Sequence, residues 1–181
     1  MSVTFTQEQF NVKALEFLEM SEKVHDTWQK EEKENTLFLV KNYKFTFKKE
    51  PLNDADDICA IQMLSEVFLI EYHVLLHPSY KVPTIYFNAY KNDKLIDLND
   101  IKLLFCDDYD KEKYEIYNLL SQSEHPILFR PFFMIHPCKI GEVLGKFTET
   151  RNFIITFLTL YGPSLVGLKL NNEYEKFFIK D

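Results

Sequence analysis

The stretch EYHVLLHPSYKVPTIYF, residues 71–87, decides the fold because it holds parts of two apolar segments with a turn between them. Apolar side chains alternate along residues 67–76, which is typical of a strand with one buried face. A second strand is predicted over residues 84–90, and the sequence His-Pro-Ser-Tyr at residues 77–80 supplies the turn. The sequence therefore predicts two consecutive strands in hairpin order.

Further strands and two short helices are predicted on either side of this hairpin. Residues 37–48 are predicted as a strand, because residues 43–48 alternate between aromatic and lysine or threonine side chains. Residues 131–136 form the last predicted strand. Residues 95–105 and 111–120 are predicted as short helices flanked by charge.

Longer helices are predicted at the two ends of the chain. Residues 7–34 contain neither Gly nor Pro, and Phe10, Ala14, Leu18 and Trp28 recur there at helical spacing. After Cys138, apolar residues again recur at helical spacing as far as Tyr161, which predicts one bent helix or two. The order indicates an α+β fold: an antiparallel sheet of about four or more strands, flanked by N-terminal and C-terminal helices.

The composition predicts one globular domain over residues 1–181 that binds neither nucleic acid nor metal. Hydrophobic residues make up 46% of the chain, which is ample for a packed core. The formal net charge of -7 argues against nucleic acid as a partner, because phosphate binding needs clustered Lys and Arg. A protein or small-molecule partner is favoured instead, and no cofactor is predicted.

Three cysteines, Cys59, Cys106 and Cys138, are too widely spaced for a zinc site and odd in number. They predict a reducing compartment rather than a disulfide framework. The first ten residues do not resemble a secretory signal, and the apolar run at residues 153–168 is shorter than a membrane span. We therefore expect a cytoplasmic protein without a membrane span.

Cys138 is the candidate nucleophile. It follows His136 and Pro137 and directly precedes a predicted helix, whose free N–H groups and dipole favour a thiolate. Lys139 adds a neighbouring cation. The alternative is a cysteine that serves only as a small apolar side chain. Cys59 and Cys106 are assigned to packing or to the surface.

His136 lies two residues before Cys138, and such residues share a face if the strand continues through Pro137. It would then position a partner or stabilise an oxyanion, although a histidine satisfied by backbone hydrogen bonds is an equally good interpretation. A cysteine–histidine pair also occurs in papain-like proteases, but the residues around Cys138 lack a protease signature.

The other histidines do not predict a metal site. His73 alternates out of the apolar face and is interpreted as structural or exposed, whereas His77 and His125 precede prolines in predicted loops. A site built from all three has no supporting spacing, because His73 and His77 lie too far apart on a strand.

These motifs carry a family resemblance. Residues 71–87 resemble the third strand, turn and fourth strand of the ubiquitin-conjugating fold. Residues 124–139, EHPILFRPFFMIHPCK, are similar to the autophagy-related conjugating enzymes of the family called autophagy-related protein ten, whose active cysteine lies in a His-Pro-Cys motif. His136, Pro137 and Cys138 match that motif, and GPSLVGL at residues 162–168 is similar to the family's C-terminal region.

The resemblance implies a thioester relay. An activating enzyme, autophagy-related protein seven, would pass the ubiquitin-like autophagy-related protein twelve to Cys138. The modifier would then move to a lysine of autophagy-related protein five. Two alternatives remain: the sister family, autophagy-related protein three, which transfers its modifier to a lipid amine but has a long acidic insertion, and an inactive binding module of the same fold.

Ordinary ubiquitin-conjugating enzymes carry a His-Pro-Asn motif whose Asn is thought to stabilise the oxyanion. In this chain Ile127 follows His125 and Pro126, so the motif is absent. The resemblance points instead to His136 and to a tyrosine on the adjacent strand, with Tyr86 as first choice and Tyr80 as second.

Overall fold

The structure is a computed structural model that describes residues 2–48, 65–98, 100–101 and 119–178. Seven strands of these residues form one sheet in which every pairing is antiparallel. In chain order they are β1 (Gln29–Lys33), β2 (Thr36–Lys48), β3 (Ser65–Leu76), β4 (Pro83–Lys91), β5 (Lys94–Leu95), β6 (Leu120–Glu124) and β7 (Pro131–Ile135).

The spatial order of the sheet is β1-β2-β3-β4-β7-β6, and the short strand β5 pairs with β4. The helices are α1 (Gln7–Lys23), α2 (Ile140–Leu144) and α3 (Phe153–Val166). Two 3₁₀ helices follow β7 and α3, at Pro137–Lys139 and Asn172–Phe177. The predicted α+β fold is confirmed, and none of the helices in the described ranges is long and apolar enough to cross a membrane.

The predicted hairpin is confirmed as β3 and β4, which pair from Phe68 opposite Lys91 to Leu76 opposite Pro83. The strand predicted over residues 37–48 is also confirmed, as β2. The C-terminal pattern corresponds to two helices, α2 and α3. The Asn152 side chain accepts a hydrogen bond from the Ile154 N–H and so caps α3.

The N-terminal helix is shorter than predicted, because it ends at Lys23 and the chain turns before β1. His25 has the left-handed φ of 53° within that turn. Trp28 belongs to the core as expected, but it reaches Phe17 from outside the helix, with ring centroids 5.5 Å apart. All five residues of β1 are exposed, so no apolar period marks this edge strand.

The middle of the chain also differs in part from prediction. Leu120 begins strand β6 rather than ending a helix. Lys94–Leu95 is a strand, whereas Leu98, Asp100 and Ile101 are helical as predicted. The remainder of the two predicted short helices, residues 102–118, lies outside the described residues, as do Cys59 and Cys106.

Helices α1 and α3 cover one face of the sheet and form the larger core. Phe10 and Phe17 of α1 and Phe157 of α3 are fully buried against side chains such as Tyr72 and Phe87 from the central strands. The Tyr72 hydroxyl donates a 2.7 Å hydrogen bond to the Val166 carbonyl at the end of α3. Burial raises the pKa of Tyr72, so its hydroxyl remains a donor.

A smaller core covers the second face of the sheet. It contains Phe38 and Val40 of β2, Tyr86 of β4, and Phe132 and Met134 of β7, and it is closed by Ile127 from the turn before β7. Strands β3 and β4 are therefore covered on both faces, and the first seven residues of β4 are all buried.

A buried ion pair ties the C-terminal 3₁₀ helix to the sheet. The Lys41 Nζ of β2 contacts the Asp26 Oδ1, and both side chains are only 9% exposed. The Tyr174 hydroxyl donates to the Asp26 Oδ2 at 3.2 Å. The Lys41 ammonium also lies 5.6 Å from the centre of the Trp28 ring.

Substitution of Lys41 by Met should lower the free energy of unfolding by about 3–5 kcal/mol, because the Asp26 carboxylate would remain buried without its cation. Lys44→Met on the same strand is the matched control, since Lys44 is exposed, and should change stability by less than about 0.5 kcal/mol. Urea denaturation of both variants measures the difference. Equal effects would show that the buried ion pair contributes nothing specific.

Candidate active site

Cys138 is exposed on a 3₁₀ turn between β7 and α2. Its neighbours explain that exposure: Ile135, Pro137 and Ile140 are buried and anchor the turn, while Cys138 and Lys139 face outward. A free thiol on an anchored, exposed turn is accessible to a large partner without movement of the core. This is the accessible position before a helix that the sequence predicts for the nucleophile.

His136 contacts Cys138 by a route that differs from the predicted one. The strand ends at Ile135, so His136 caps the 3₁₀ turn, and its Nδ1 accepts a 3.3 Å hydrogen bond from the Cys138 backbone N–H. Because Nδ1 is the acceptor, the neutral imidazole carries its proton on Nε2. The ring therefore presents an N–H donor on its other side.

Tyr80 is the predicted tyrosine that lies against His136. It is 43% exposed, and its ring centroid is 5.8 Å from that of His136 at a steep interplanar angle of 72°. The same tyrosine ring lies 5.1 Å from the ring of His77. Ring contacts thus connect His77 and Tyr80 of the hairpin turn with His136, which caps the turn that carries Cys138.

The first residues of the chain join the two segments of the site. The Val3 N–H donates to the Gly141 carbonyl at 2.9 Å, and the Phe5 N–H donates to the Lys81 carbonyl at 2.7 Å. A Cβ at Gly141 would lie 2.5 Å from the Val3 carbonyl oxygen, so this close approach requires glycine. The hairpin turn and α2 are consequently held together by a third segment.

Tyr161 of α3 also lies near the thiol. Burial raises the pKa of Tyr161, and the negative charge of the Cys138 thiolate raises it further. In the sequence Tyr161 belongs to an ordinary apolar helical repeat, so no local signal distinguishes it from a core residue.

The side-chain contacts of His136 do not resemble those of a protease general base. Within the described ranges they are the Cys138 backbone N–H and the Tyr80 ring. Neither is the Asn or Asp that orients the histidine in a papain-like site.

Comparison with known proteins identifies the family. The family described as "Autophagocytosis associated protein, active-site domain" matches residues 9–172. The chain belongs to this family. It is similar to the ubiquitin-like-conjugating enzyme ATG10 of Homo sapiens, with 36% identity over 135 residues. It is also similar to the proteins of that name from Gibberella zeae, at 31% over 129 residues, and Arabidopsis thaliana, at 32% over 127 residues.

The alignments cover 70%, 66% and 61% of this chain, in the same order, but only 60%, 54% and 54% of the relatives. The chain therefore matches a little more than half the length of these relatives. All three sequence features that carried the resemblance, including the His-Pro-Cys motif, fall inside the residues of the active-site domain family.

Tyr86, the other predicted tyrosine of this active-site domain, is almost fully buried on the second face of the sheet. It lies opposite Met134 on β7, and its ring is 5.1 Å from that of His125. Burial raises the pKa of Tyr86 to about 12, so its hydroxyl is neutral and able to donate. Among the described contacts, Tyr80 rather than Tyr86 touches His136.

A chain of polar side chains lies on the same face as Tyr86, with His73 and His125 buried and Arg130 exposed. His73 Nδ1 lies 3.1 Å from His125 Nε2, and His73 Nε2 lies 3.1 Å from Glu71 Oε1. The same carboxylate oxygen accepts a 2.6 Å bond from Arg130. His73 and His125 are thus both buried structural histidines, where the sequence left His73 as structural or exposed and placed His125 in a loop.

The hydrogen bonds of this chain fix its tautomers. His125 Nδ1 accepts from the backbone N–H groups of Ile127 and Leu128, each at 3.2 Å. His125 must then donate from Nε2 to His73 Nδ1, and His73 must donate from Nε2 to Glu71. Both rings are neutral, and every ring nitrogen has a partner. His77 lies outside this chain, and the described ranges hold no cluster of three or more metal-ligating side chains.

The buried chain makes stability dependent on pH. The pKa of His125 is lowered from 6.5 to about 3, and burial is the largest cause. Burial alone would raise the pKa of Glu71, but the hydrogen bond from His73 and the Arg130 guanidinium outweigh it and hold that pKa below 4.5. As the pH falls below 6.5 for His125, and below 4.5 for Glu71, the unfolded chain binds a proton at that residue that the folded chain does not yet bind.

The free energy of unfolding should therefore fall as the pH decreases from 6.5 towards 4.5, by up to about 1.4 kcal/mol per pH unit from His125. Glu71 adds to the loss below pH 4.5. In His125→Asn the amide oxygen still accepts from the backbone N–H groups of the turn. Above pH 4.5, the slope of the free energy of unfolding against pH should decrease by nearly the contribution of one proton. Denaturation at a series of pH values tests this.

His25→Asn is the control, since His25 is exposed and its left-handed backbone tolerates Asn. It should keep the wild-type slope. A His125→Asn slope equal to that of wild type would show that His125 titrates normally in the folded protein.

Proposed function

We propose that the chain is a conjugating enzyme that carries a ubiquitin-like protein as a thioester on Cys138. The observation that carries the proposal is the exposed thiol on the His136-capped turn, within a domain of the active-site family. The names of the relatives, ubiquitin-like-conjugating enzymes, agree with this chemistry. No additional prosthetic group is required for the transfer.

In the loading step, the Cys138 thiolate attacks the carbonyl carbon of a modifier already held as a thioester on an activating enzyme. A new C–S bond forms to Cys138, and the thiolate of the activating enzyme leaves. Thiolate is the nucleophilic form, and the exchange conserves the thioester without a further energy source. Exposure of the sulfur allows two large proteins to meet there.

In the transfer step, a lysine amine attacks the thioester carbonyl on Cys138. A C–N bond forms, the C–S bond breaks, Cys138 leaves as thiolate and the amine proton passes to solvent. The tetrahedral intermediate carries an oxyanion that needs hydrogen-bond donors. His136 Nε2–H and the Tyr80 hydroxyl are the donors best supported by contacts, and Tyr86, buried one strand away, is the third candidate.

The partners follow from the family resemblance. We propose autophagy-related protein seven as the activating enzyme, autophagy-related protein twelve as the modifier and autophagy-related protein five as the acceptor, with the reaction taking place in the cytoplasm. An amine of a lipid is the alternative acceptor, and an inactive binding module is the alternative to an enzyme. Both are outcomes of the experiments below.

Cys138→Ser should trap the modifier as an oxyester that resists thiol reductants, because an alkoxide is a poorer leaving group than a thiolate. Wild type should give a reducible adduct, and Cys138→Ala should give none. Cys59→Ser and Cys106→Ser are the matched controls and should load normally. The measurement is a gel shift with activating enzyme, modifier and ATP, with and without reductant.

A reducible adduct that persists in Cys138→Ala would move the nucleophile to another cysteine. Absence of any adduct on wild type would favour the inactive binding module. Discharge of the wild-type thioester onto vesicles containing phosphatidylethanolamine, but not onto a protein lysine, would favour the lipid-transferring alternative.

Tyr80→Phe should slow discharge of the thioester onto lysine by about 100-fold while leaving loading nearly unchanged, because only the hydroxyl donor is lost. His136→Asn keeps an acceptor for the Cys138 N–H but removes the Nε2 donor, so it should show the same separation. Single-turnover discharge compared with loading measures both. Tyr86→Phe completes the set.

The three variants rank the donors. Normal discharge in Tyr80→Phe together with slow discharge in Tyr86→Phe would assign the oxyanion role to the buried tyrosine. Equal slowing of loading and discharge in all three would indicate a packing role instead.

A further inference from the structure

His77 starts the turn that carries Tyr80, and it closes that turn with its own backbone. The His77 N–H donates to the Val82 carbonyl at 2.8 Å, and the Lys81 N–H donates to the His77 carbonyl at 3.0 Å. Lys81 has the left-handed φ of 55°, which turns the chain back into β4. The ends of the turn are therefore fixed, but these bonds do not fix its tip.

The His77 side chain holds the tip. Its Nδ1 accepts from the backbone N–H groups of Ser79, at 3.2 Å, and Tyr80, at 3.3 Å. This is the arrangement that an Asp or Asn side chain makes when it caps a turn. It sets the backbone position from which the Tyr80 side chain departs.

The Tyr80 side chain depends on imidazole rings for its position. It is 43% exposed, so burial does not confine it. Its ring contacts within the described ranges are with the rings of His77 and His136. The Tyr80 hydroxyl has no hydrogen-bond partner in the same ranges, which leaves it available to a bound group.

We infer that His77 is a positioning residue for the reaction at Cys138: it holds the Tyr80 hydroxyl beside His136, where the oxyanion forms. The inference rests on the proposed function. His77 acts on the reacting atoms only through Tyr80, by capping the turn beneath its backbone and by packing against its ring. Sequence reasoning left His77 as a loop histidine.

The state of His77 fits this role. Its Nδ1 faces two N–H donors, so a proton there would oppose both hydrogen bonds. Burial lowers the pKa of His77, and the nearby His136 lowers it further, which keeps the ring neutral with its proton on Nε2. His77 and His136 thus cap two turns in the same way, and the Tyr80 ring contacts both imidazoles.

The activity test uses the full chain and a modifier supplied as a C-terminal thioester, followed by discharge onto free lysine. His77→Ala should slow discharge by about 10-fold with little effect on loading, because Tyr80 loses its fixed position. His77→Asn should recover most of that loss, since its amide oxygen accepts from the same N–H groups. His77→Phe keeps an aromatic ring without the acceptor and should recover less.

A double-mutant cycle separates positioning from a general effect. In a Tyr80→Phe background, His77→Ala should slow discharge by a further factor of about two or less, because the group that His77 positions is already absent. His25→Asn is the control: His25 is exposed just beyond the C-terminal end of α1, and the variant should discharge at the wild-type rate. Additive effects, or a normal rate in His77→Ala, would overturn the inference.

A spectroscopic test of the role of His77 does not depend on thioester formation. If no thioester forms, only the proposed function is contradicted. Long-range ¹⁵N–¹H spectra of wild type should show both His77 and His136 protonated at Nε2. His77→Ala should shift the His136 ring resonances in the direction seen in Tyr80→Ala, because the tyrosine ring leaves. An Nδ1-protonated His77, or His136 resonances that move in Tyr80→Ala but not in His77→Ala, would overturn it.

Discussion

The alternation of side chains along β3 and β4 determines the rest of the structure. Tyr72 opposite Phe87 points into the core beneath the helices, whereas His73 opposite Tyr86, one residue away, points to the second face. Because strand side chains repeat every two residues, a shift in register by one would exchange these two sets. The register therefore fixes which residues form each core. It also places the hairpin turn that carries Tyr80 at the end of the sheet where β7 ends.

Without their mutual hydrogen bonds, the polar side chains on the second face of the sheet would destabilise the fold. Glu71 and His73 share that face because they are two residues apart, and burial of either without partners would destabilise the fold. Arg130 and His125 satisfy them from the turn before β7. The same turn supplies Ile127 to the apolar cluster, so the hydrogen bonds and the packing depend on each other. This links the hairpin to the segment that ends in the His-Pro-Cys motif.

Sequence periodicity predicted the central strands, α3 and the position of Cys138, because each has a local signal. It missed β1, since an edge strand with five exposed polar residues has no apolar period. It also did not predict the contact of His73 with His125, which are 52 residues apart and meet only through the pairing of β3, β4 and β7. The nearness of Tyr161 to Cys138 likewise depends on how α3 packs, which helical spacing alone does not specify.

The absence of a His-Pro-Asn motif changes how the site must be built. An Asn side chain can be held near an oxyanion by its own short rotamer, whereas Tyr80, the donor we propose, would act from the end of a long, 43% exposed side chain. Such a donor stabilises a transition state only if its position is fixed before the reaction, because ordering it during the reaction has an entropic cost. In our proposal two capped turns would supply that order, one through His77 and one through His136. Residues 2–5 then hold the two turns in position relative to each other through backbone hydrogen bonds to Lys81 and Gly141. The site is therefore preorganised by backbone hydrogen bonds at its edges, while the thiol itself stays open to large partners.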